Sequence, residues 1–185
     1  SGVVDGMTTS LKLEFANPSS SHQWGAQARD HIEDARVQLA QLIGARARDI
    51  TFTSGATEAN NLAIFGVAAQ THPPIHIITQ QTEHDAVLAP LKELKRQGHT
   101  VTTLPVDHEG LINLEHLADA LTPKTRLISI MHVNNETGTQ QPIEEIVRLI
   151  RSSANPHCLI HVDAAQSVGK TPIDLRSINA DLLSL

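Results

Sequence analysis

The sequence predicts an α/β domain in which a mostly parallel sheet is flanked by helices, and three observations carry that expectation. Short β-branched or apolar runs alternate with amphipathic stretches of roughly ten to fifteen residues, the pattern of βαβ units. One run, Leu159-Ile160-His161-Val162-Asp163, is largely apolar and ends in an acid, as a central strand buried on both faces would. Small residues and an amide, Ala164-Ala165-Gln166-Ser167, follow at once, at the strand end where open parallel sheets bind ligands.

Taken in order, Val3, Val4, Met7, Leu11 and Phe15 stand close to helical spacing, and Asn17-Pro18-Ser19-Ser20-Ser21-His22 breaks that pattern as a loop. Over residues 24–43, Ala28, Ile32, Ala35, Leu39 and Leu42 recur three or four apart, giving a long amphipathic helix with Gly44 as its C-cap. Ile50-Thr51-Phe52-Thr53 reads as a short strand by its β-branched and aromatic content. A turn through Ser54-Gly55-Ala56-Thr57-Glu58 leads to a helix over 59–69, and Pro73-Pro74 opens the connection to a strand at 75–79. Residues 86–97 read as a helix stopped by Gly98, 100–104 as a strand, 114–121 as a short helix and 126–131 as a strand. Pro142 marks a helix start, with Ile143, Ile146, Val147 and Ile150 as its apolar stripe. Asp181-Leu182-Leu183-Ser184-Leu185 reads as a last strand. The chain stops inside that apolar run with neither cap nor turn, so it is expected to be a fragment.

At 185 residues the chain suits one domain with a real core. Its net charge of -6, with no basic run, argues against a nucleic-acid surface. Phe15, Phe52, Phe65 and Trp24 are the only aromatics besides histidine, so base-stacking platforms are not expected either. A single cysteine, Cys158, excludes an internal disulfide and fits a reducing compartment. No signal-peptide pattern and no membrane-length apolar run occur, which predicts a soluble, cytoplasmic protein. The 11 histidines are scattered without metal-ligand spacing and are expected to be solvent-exposed.

Four loops, each after an expected strand, carry the candidate chemistry, and parallel strands would bring them to one edge. In Thr53-Ser54-Gly55-Ala56-Thr57-Glu58, small residues and a helix start near Thr57 could hold a phosphate. A plain Thr/Ser cap with Glu58 in the first turn accounts for the same residues. In Gln80-Gln81-Thr82-Glu83-His84-Asp85, a neutral His84 could stack on a flat ring and shuttle protons. His132-Val133-Asn134-Asn135-Glu136-Thr137-Gly138 joins two amides and an acid to a left-handed glycine, a combination turns also favour for backbone reasons. Asp163 could grip a cationic ring nitrogen, the partner pyridoxal phosphate needs, or merely cap the next turn.

Together, Ser54-Gly55-Ala56-Thr57-Glu58, Thr82-Glu83-His84, His132 to Gly138 and His161-Val162-Asp163-Ala164-Ala165-Gln166-Ser167-Val168-Gly169-Lys170 resemble, in order and spacing, the cysteine desulfurases. Asn17-Pro18-Ser19-Ser20 also looks like that family, which belongs to the class V aminotransferase group of pyridoxal-phosphate enzymes. The resemblance implies a fold-type I large domain, present here in part over residues 1–185. The N-terminal arm, the Schiff-base lysine segment and the C-terminal small domain would be missing. It implies that Asp163 holds the pyridinium nitrogen, His84 stacks over the ring as the catalytic histidine, and Gln166 bonds the phenolic oxygen. Asn135 would lie near that oxygen and the substrate carboxylate, and Ala56 and Thr57 would bind the phosphate. The implied reaction converts L-cysteine to L-alanine and passes sulfur, as an enzyme persulfide, to acceptor or scaffold proteins such as those of iron–sulfur cluster assembly. A homodimer and a last strand running antiparallel are implied as well.

The family's lysine lies in a Ser-x-His-Lys run that would fall about four residues past Leu185, so these residues alone are expected to be inactive. Lys170 matches a different lysine of the family, and Cys158, at a strand start, reads as a buried small hydrophobe rather than the persulfide cysteine. Selenocysteine lyases share most of these loops. A non-catalytic remnant that keeps the cofactor pocket is the other alternative. Ala164-Ala165-Gln166-Ser167-Val168-Gly169-Lys170-Thr171 resembles a Walker A loop, but its first glycine is replaced and Pro172 interrupts the helix that should follow.

Overall fold

The computed structural model describes residues 2–13, 15–70 and 74–185; Pro73, at the expected connection, lies outside them. The chain divides into two compact units, residues 1–51 and 52–185.

The first unit holds two helices, α1 (Gly2–Leu13) and α2 (Gln23–Ile43), and a 3-10 turn at Ala47–Asp49. His22 caps α2, its Nδ1 accepting from the Gly25 N–H, and Gly44 ends the helix in the left-handed conformation, with φ 70°. That conformation costs glycine little, and its N–H satisfies carbonyls of the last turn. The Asn17–Ser20 loop packs tightly on α2: a Cβ on Gly25 would stand 2.5 Å from the Ser20 oxygen and 2.8 Å from that of Asn17. The strand expected at 50–53 does not form. Residue 50 follows the 3-10 turn, and its carbonyl accepts from Arg36 Nη1 at 2.6 Å. A β-branched run becomes a strand only where a neighbouring strand pairs with it, and the sheet described below includes none of these residues.

The second unit is a three-layer α/β arrangement. Its strands are β1 (His76–Gln80), β2 (Thr100–Leu104), β3 (Thr125–Met131), β4 (Leu159–Asp163) and β5 (Leu182–Ser184), in the order β2-β1-β3-β4-β5. All four pairings are parallel. The last one corrects the antiparallel expectation: His161 pairs with Leu182 and Asp163 with Ser184 in parallel register. The connection between β4 and β5 is long enough for a crossover and carries its own short helix, which returns the chain to the starting edge.

Alternation along the strands sends successive side chains to opposite faces, and each face receives helices. On one, Ile78, Ile128, Ile130, Ile160 and Val162 pack under α5 (Leu114–Ala120), α6 (Ile143–Arg151) and α7 (Leu175–Ile178). On the other, Ile77 and Leu127 pack with Ile64 and Val67 of α3 (Ala56–Ala69) and Val87, Leu91 and Leu94 of α4 (Asp85–Arg96). The α3 helix begins three residues before the expected start, because Gly55 rather than a threonine caps it. Burial of β1 and β4 on both faces explains why their sequences are apolar without alternation.

Four histidines contradict the exposed expectation. His76, His99, His132 and His161 are buried, two of them held between hydroxyls: His76 by Thr125 and Thr102, His161 by Ser129 and Ser184. An imidazole with both nitrogens engaged can be buried neutral. Cys158 is buried, as expected, and burial pushes its thiol up to about 12. Among the described residues no helix is long and apolar enough to cross a membrane.

Candidate functional site

The C-terminal ends of β1, β3 and β4 and the N-terminus of α3 surround one cleft of about 140 Å³. Its lining includes Ala56, Thr57, His84, Asn135, Asp163 and Gln166, so all six residues singled out from the sequence meet at one place.

Asp163 forms the floor. It ends β4 and is only 3% exposed. Its Oδ1 accepts the Ala165 N–H at 3.0 Å, and its Oδ2 accepts Asn60 Nδ2 at 2.8 Å. Both donors are neutral, and among the described residues no cationic side chain pairs with this carboxylate. A buried anion without a counter-charge is costly unless a cation arrives from outside the chain.

The N-terminal end of α3 supplies the opposite polarity. Gly55, at φ 156° and ψ -179°, turns the chain into the helix in a conformation open to glycine. No side chain caps the first turn from the Gly55 position. Glu58 instead reaches back to the Ser54 N–H, at 2.6 Å. The first N–H groups of a helix and its positive dipole end suit a phosphate, and Ala56 and Thr57 are the first two residues of α3.

His84 caps α4, its Nδ1 accepting the Ala86 N–H at 3.1 Å. This bond leaves Nε2 as the protonated nitrogen. Just before it, Glu83 turns inward, and its Oε1 accepts the Met131 N–H at 2.6 Å. Burial first, and the nearby Asp163 charge second, drive the Glu83 carboxyl well above the usual range. In the 132–138 loop the two amides divide their work. Asn134 Nδ2 donates to the Thr82 carbonyl, and its Oδ1 accepts from the N–H groups of Glu136 and Thr137, which ties this loop to the His84 loop. Asn135 is exposed on the cleft with only Glu136 as a side-chain partner. Gln166 takes a hydrogen bond on Oε1 from Lys170 Nζ at 2.8 Å.

Asn60, Ala86, Met131 and Ala165 also line the cleft and were not picked out from the sequence. For Asn60 a signal existed: it lies one helical turn beyond Ala56, on the face that residue presents.

The sequence profile described as Aminotransferase class-V matches residues 1–185. The chain belongs to this family. Among class-V relatives, the "Cysteine desulfurase, mitochondrial" of Drosophila melanogaster is 46% identical over 185 residues, which are 99% of this chain and 39% of that protein. The "Cysteine desulfurase IscS" of Proteus mirabilis is 52% identical over 187 residues, 99% of this chain and 46% of that protein. Of solved structures, a "NifS-like protein" superposes with a TM-score of 0.95 at 38% identity, covering 98% of this chain and 50% of that one. "SspA in complex with cysteine" gives 0.92 at 40% identity, covering 98% and 52%. The chain therefore spans about half the length of the proteins it matches, and its fold is that of the NifS-like class-V enzymes.

Pyridoxal phosphate, the cofactor the class-V resemblance implies, passes a test of fit on this structure. A buried carboxylate with two neutral donors and no cation faces the same cleft as an uncapped helix N-terminus, an imidazole and two amides. The donor set matches a flat ligand with a cationic nitrogen at one end and a phosphate at another.

Proposed function

We propose that this chain is the cofactor-binding part of a pyridoxal-phosphate-dependent cysteine desulfurase. The observation that supports the reading best is the buried, cation-free carboxylate of Asp163 at the end of β4, in one cleft with the start of α3. The names of the relatives, cysteine desulfurases at 46% and 52% identity, point to the same activity. One structural neighbour, SspA, is in complex with cysteine, which supports L-cysteine as the substrate class.

In this reading the ring nitrogen is held by Asp163 through a charge-assisted hydrogen bond, and the phosphate by the Ala56 and Thr57 N–H groups and the Thr57 hydroxyl. His84 lies against the ring face, with Nε2 available to hold a proton. Gln166 and Asn135 reach the phenolic oxygen, and Asn135 the substrate carboxylate. When bound, the cofactor supplies an electron sink for negative charge at the substrate's α-carbon. L-Cysteine leaves as L-alanine, and the sulfur passes as an enzyme persulfide to acceptor proteins, with those of iron–sulfur cluster assembly as one class.

Residues 1–185 contain no Ser-x-His-Lys run, so the Schiff-base lysine is assigned to the remainder of a protein of the relatives' length, and the described part alone is inactive. The complete protein works as a cytoplasmic homodimer. The test supplies the full-length protein with pyridoxal phosphate, a thiol reductant and L-cysteine, and measures alanine and sulfide. Equal amounts of the two are expected. Turnover of selenocysteine with none of cysteine would make it a selenocysteine lyase, and turnover of neither would remove the enzyme reading.

A further inference from the structure

We infer that Asn60 is a positioning residue for Asp163: its neutral amide fixes one carboxylate oxygen and keeps the cleft floor at a single negative charge. The inference rests on the reading of Asp163 as the partner of a cationic ring nitrogen.

The α3 helix buries Asn60, Ile64, Val67 and Ala68. Asn60 is thus the one polar side chain on that stripe, one turn before Ile64, where the helical pattern calls for an apolar residue. It is 1% exposed. Among the described residues its side chain makes one hydrogen bond, Nδ2 to Asp163 Oδ2 at 2.8 Å, while Oδ1 is buried without a partner. A buried amide with half of its capacity unused is destabilising on its own account. Orientation of the Asp163 carboxylate is what this side chain provides in return.

With Ala165 N–H on Oδ1 and Asn60 Nδ2 on Oδ2, each oxygen has one fixed neutral donor. The carboxylate cannot rotate freely, and its charge stays available for a cation. An aspartate at position 60 would have the same shape but would place two carboxylates side by side, which share one proton. The other titratable groups set against Asp163 are His161 on β4, Glu83 on the loop after β1 and His84 at the start of α4. They are identical in both proteins, so a comparison of variant with wild type isolates position 60.

The experiment measures pyridoxal phosphate affinity by fluorescence titration of the full-length protein, wild type beside Asn60→Asp and the apolar isostere Asn60→Leu, at pH 8 and pH 6. At pH 8 both variants are expected to bind about tenfold more weakly than wild type. At pH 6 Asn60→Asp should recover most of that loss, because the shared proton restores a donor, whereas Asn60→Leu should not. Asn60→Asp binding like wild type at both pH values would overturn the inference. So would an equal loss at both, which would indicate only disturbed packing. A wild type that does not bind pyridoxal phosphate would remove the underlying reading, and this inference with it.

Discussion

His161 stands two residues before Asp163 on β4, on the same face of the sheet, with both ring nitrogens held by hydroxyls: Nδ1 by Ser129 at 2.8 Å and Nε2 by Ser184 at 2.9 Å. The carboxylate of the cleft thus rests on a fully buried polar row that crosses β3, β4 and β5. Burial pushes the imidazole down to about 4, against the opposing pull of the Asp163 charge.

That shift has a sign. Between the ordinary value near 6.5 and about 4, the unfolded chain binds a proton that the folded one does not, so acid removes stability across this window. The full effect is about 3 kcal/mol. His161→Asn should be less stable than wild type at pH 7, with the gap narrowing toward pH 4, in urea denaturation of the full-length protein. A gap that stays constant with pH would show that His161 is not buried neutral.

Glu83 works in the opposite direction. Its carboxyl is raised, by burial first, so the stability it contributes is present below the ordinary value of 4.5 and is lost as pH rises through the folded one. Glu83→Gln keeps an acceptor for the Met131 N–H and removes the charge. The variant should be more stable than wild type at pH 8, with the advantage shrinking toward pH 5. Equal melting temperatures at all pH values would refute the assignment.

Gly25 is required by space rather than by its backbone angles. A methyl group there would meet two backbone oxygens at 2.8 Å or less, and backbone cannot swing aside. The clash costs about 1–3 kcal/mol, against a gain of about 1 kcal/mol in helix propensity. Gly25→Ala should therefore lower stability in denaturant titration. An increase would place the 17–20 loop elsewhere.

Cys158 should not react at neutral pH. It is 1% exposed, and its thiol is pushed up to about 12, so little thiolate forms. Peptide mapping after brief alkylation should find it unlabelled in the native protein and labelled in denaturant. Native labelling at the rate of a free thiol would contradict the buried strand position.

Much of this was legible in the sequence because burial on both faces leaves apolar runs with sharp polar ends. The strands at 100–104 and 159–163 fall where the pattern put them, and the polar residues just beyond β1, β3 and β4 meet at one cleft. The failures are tertiary. Residues 50–53 have strand composition but no strand to pair with, and the direction of β5 depends on where α7 returns the chain. The buried histidines depended on hydroxyls from other strands, and Asn60 is joined to Asp163 across 103 positions of sequence, a separation that local patterns do not register.

The central claim is that the Asp163 carboxylate holds a cationic ring nitrogen, and the most direct measurement compares pyridoxal phosphate with its analogue in which that nitrogen is carbon. Full-length wild type should prefer the natural cofactor by about tenfold or more, and Asp163→Ala should bind the two alike. A wild type that binds both equally, or an Asp163→Ala variant that keeps the preference, would contradict the account.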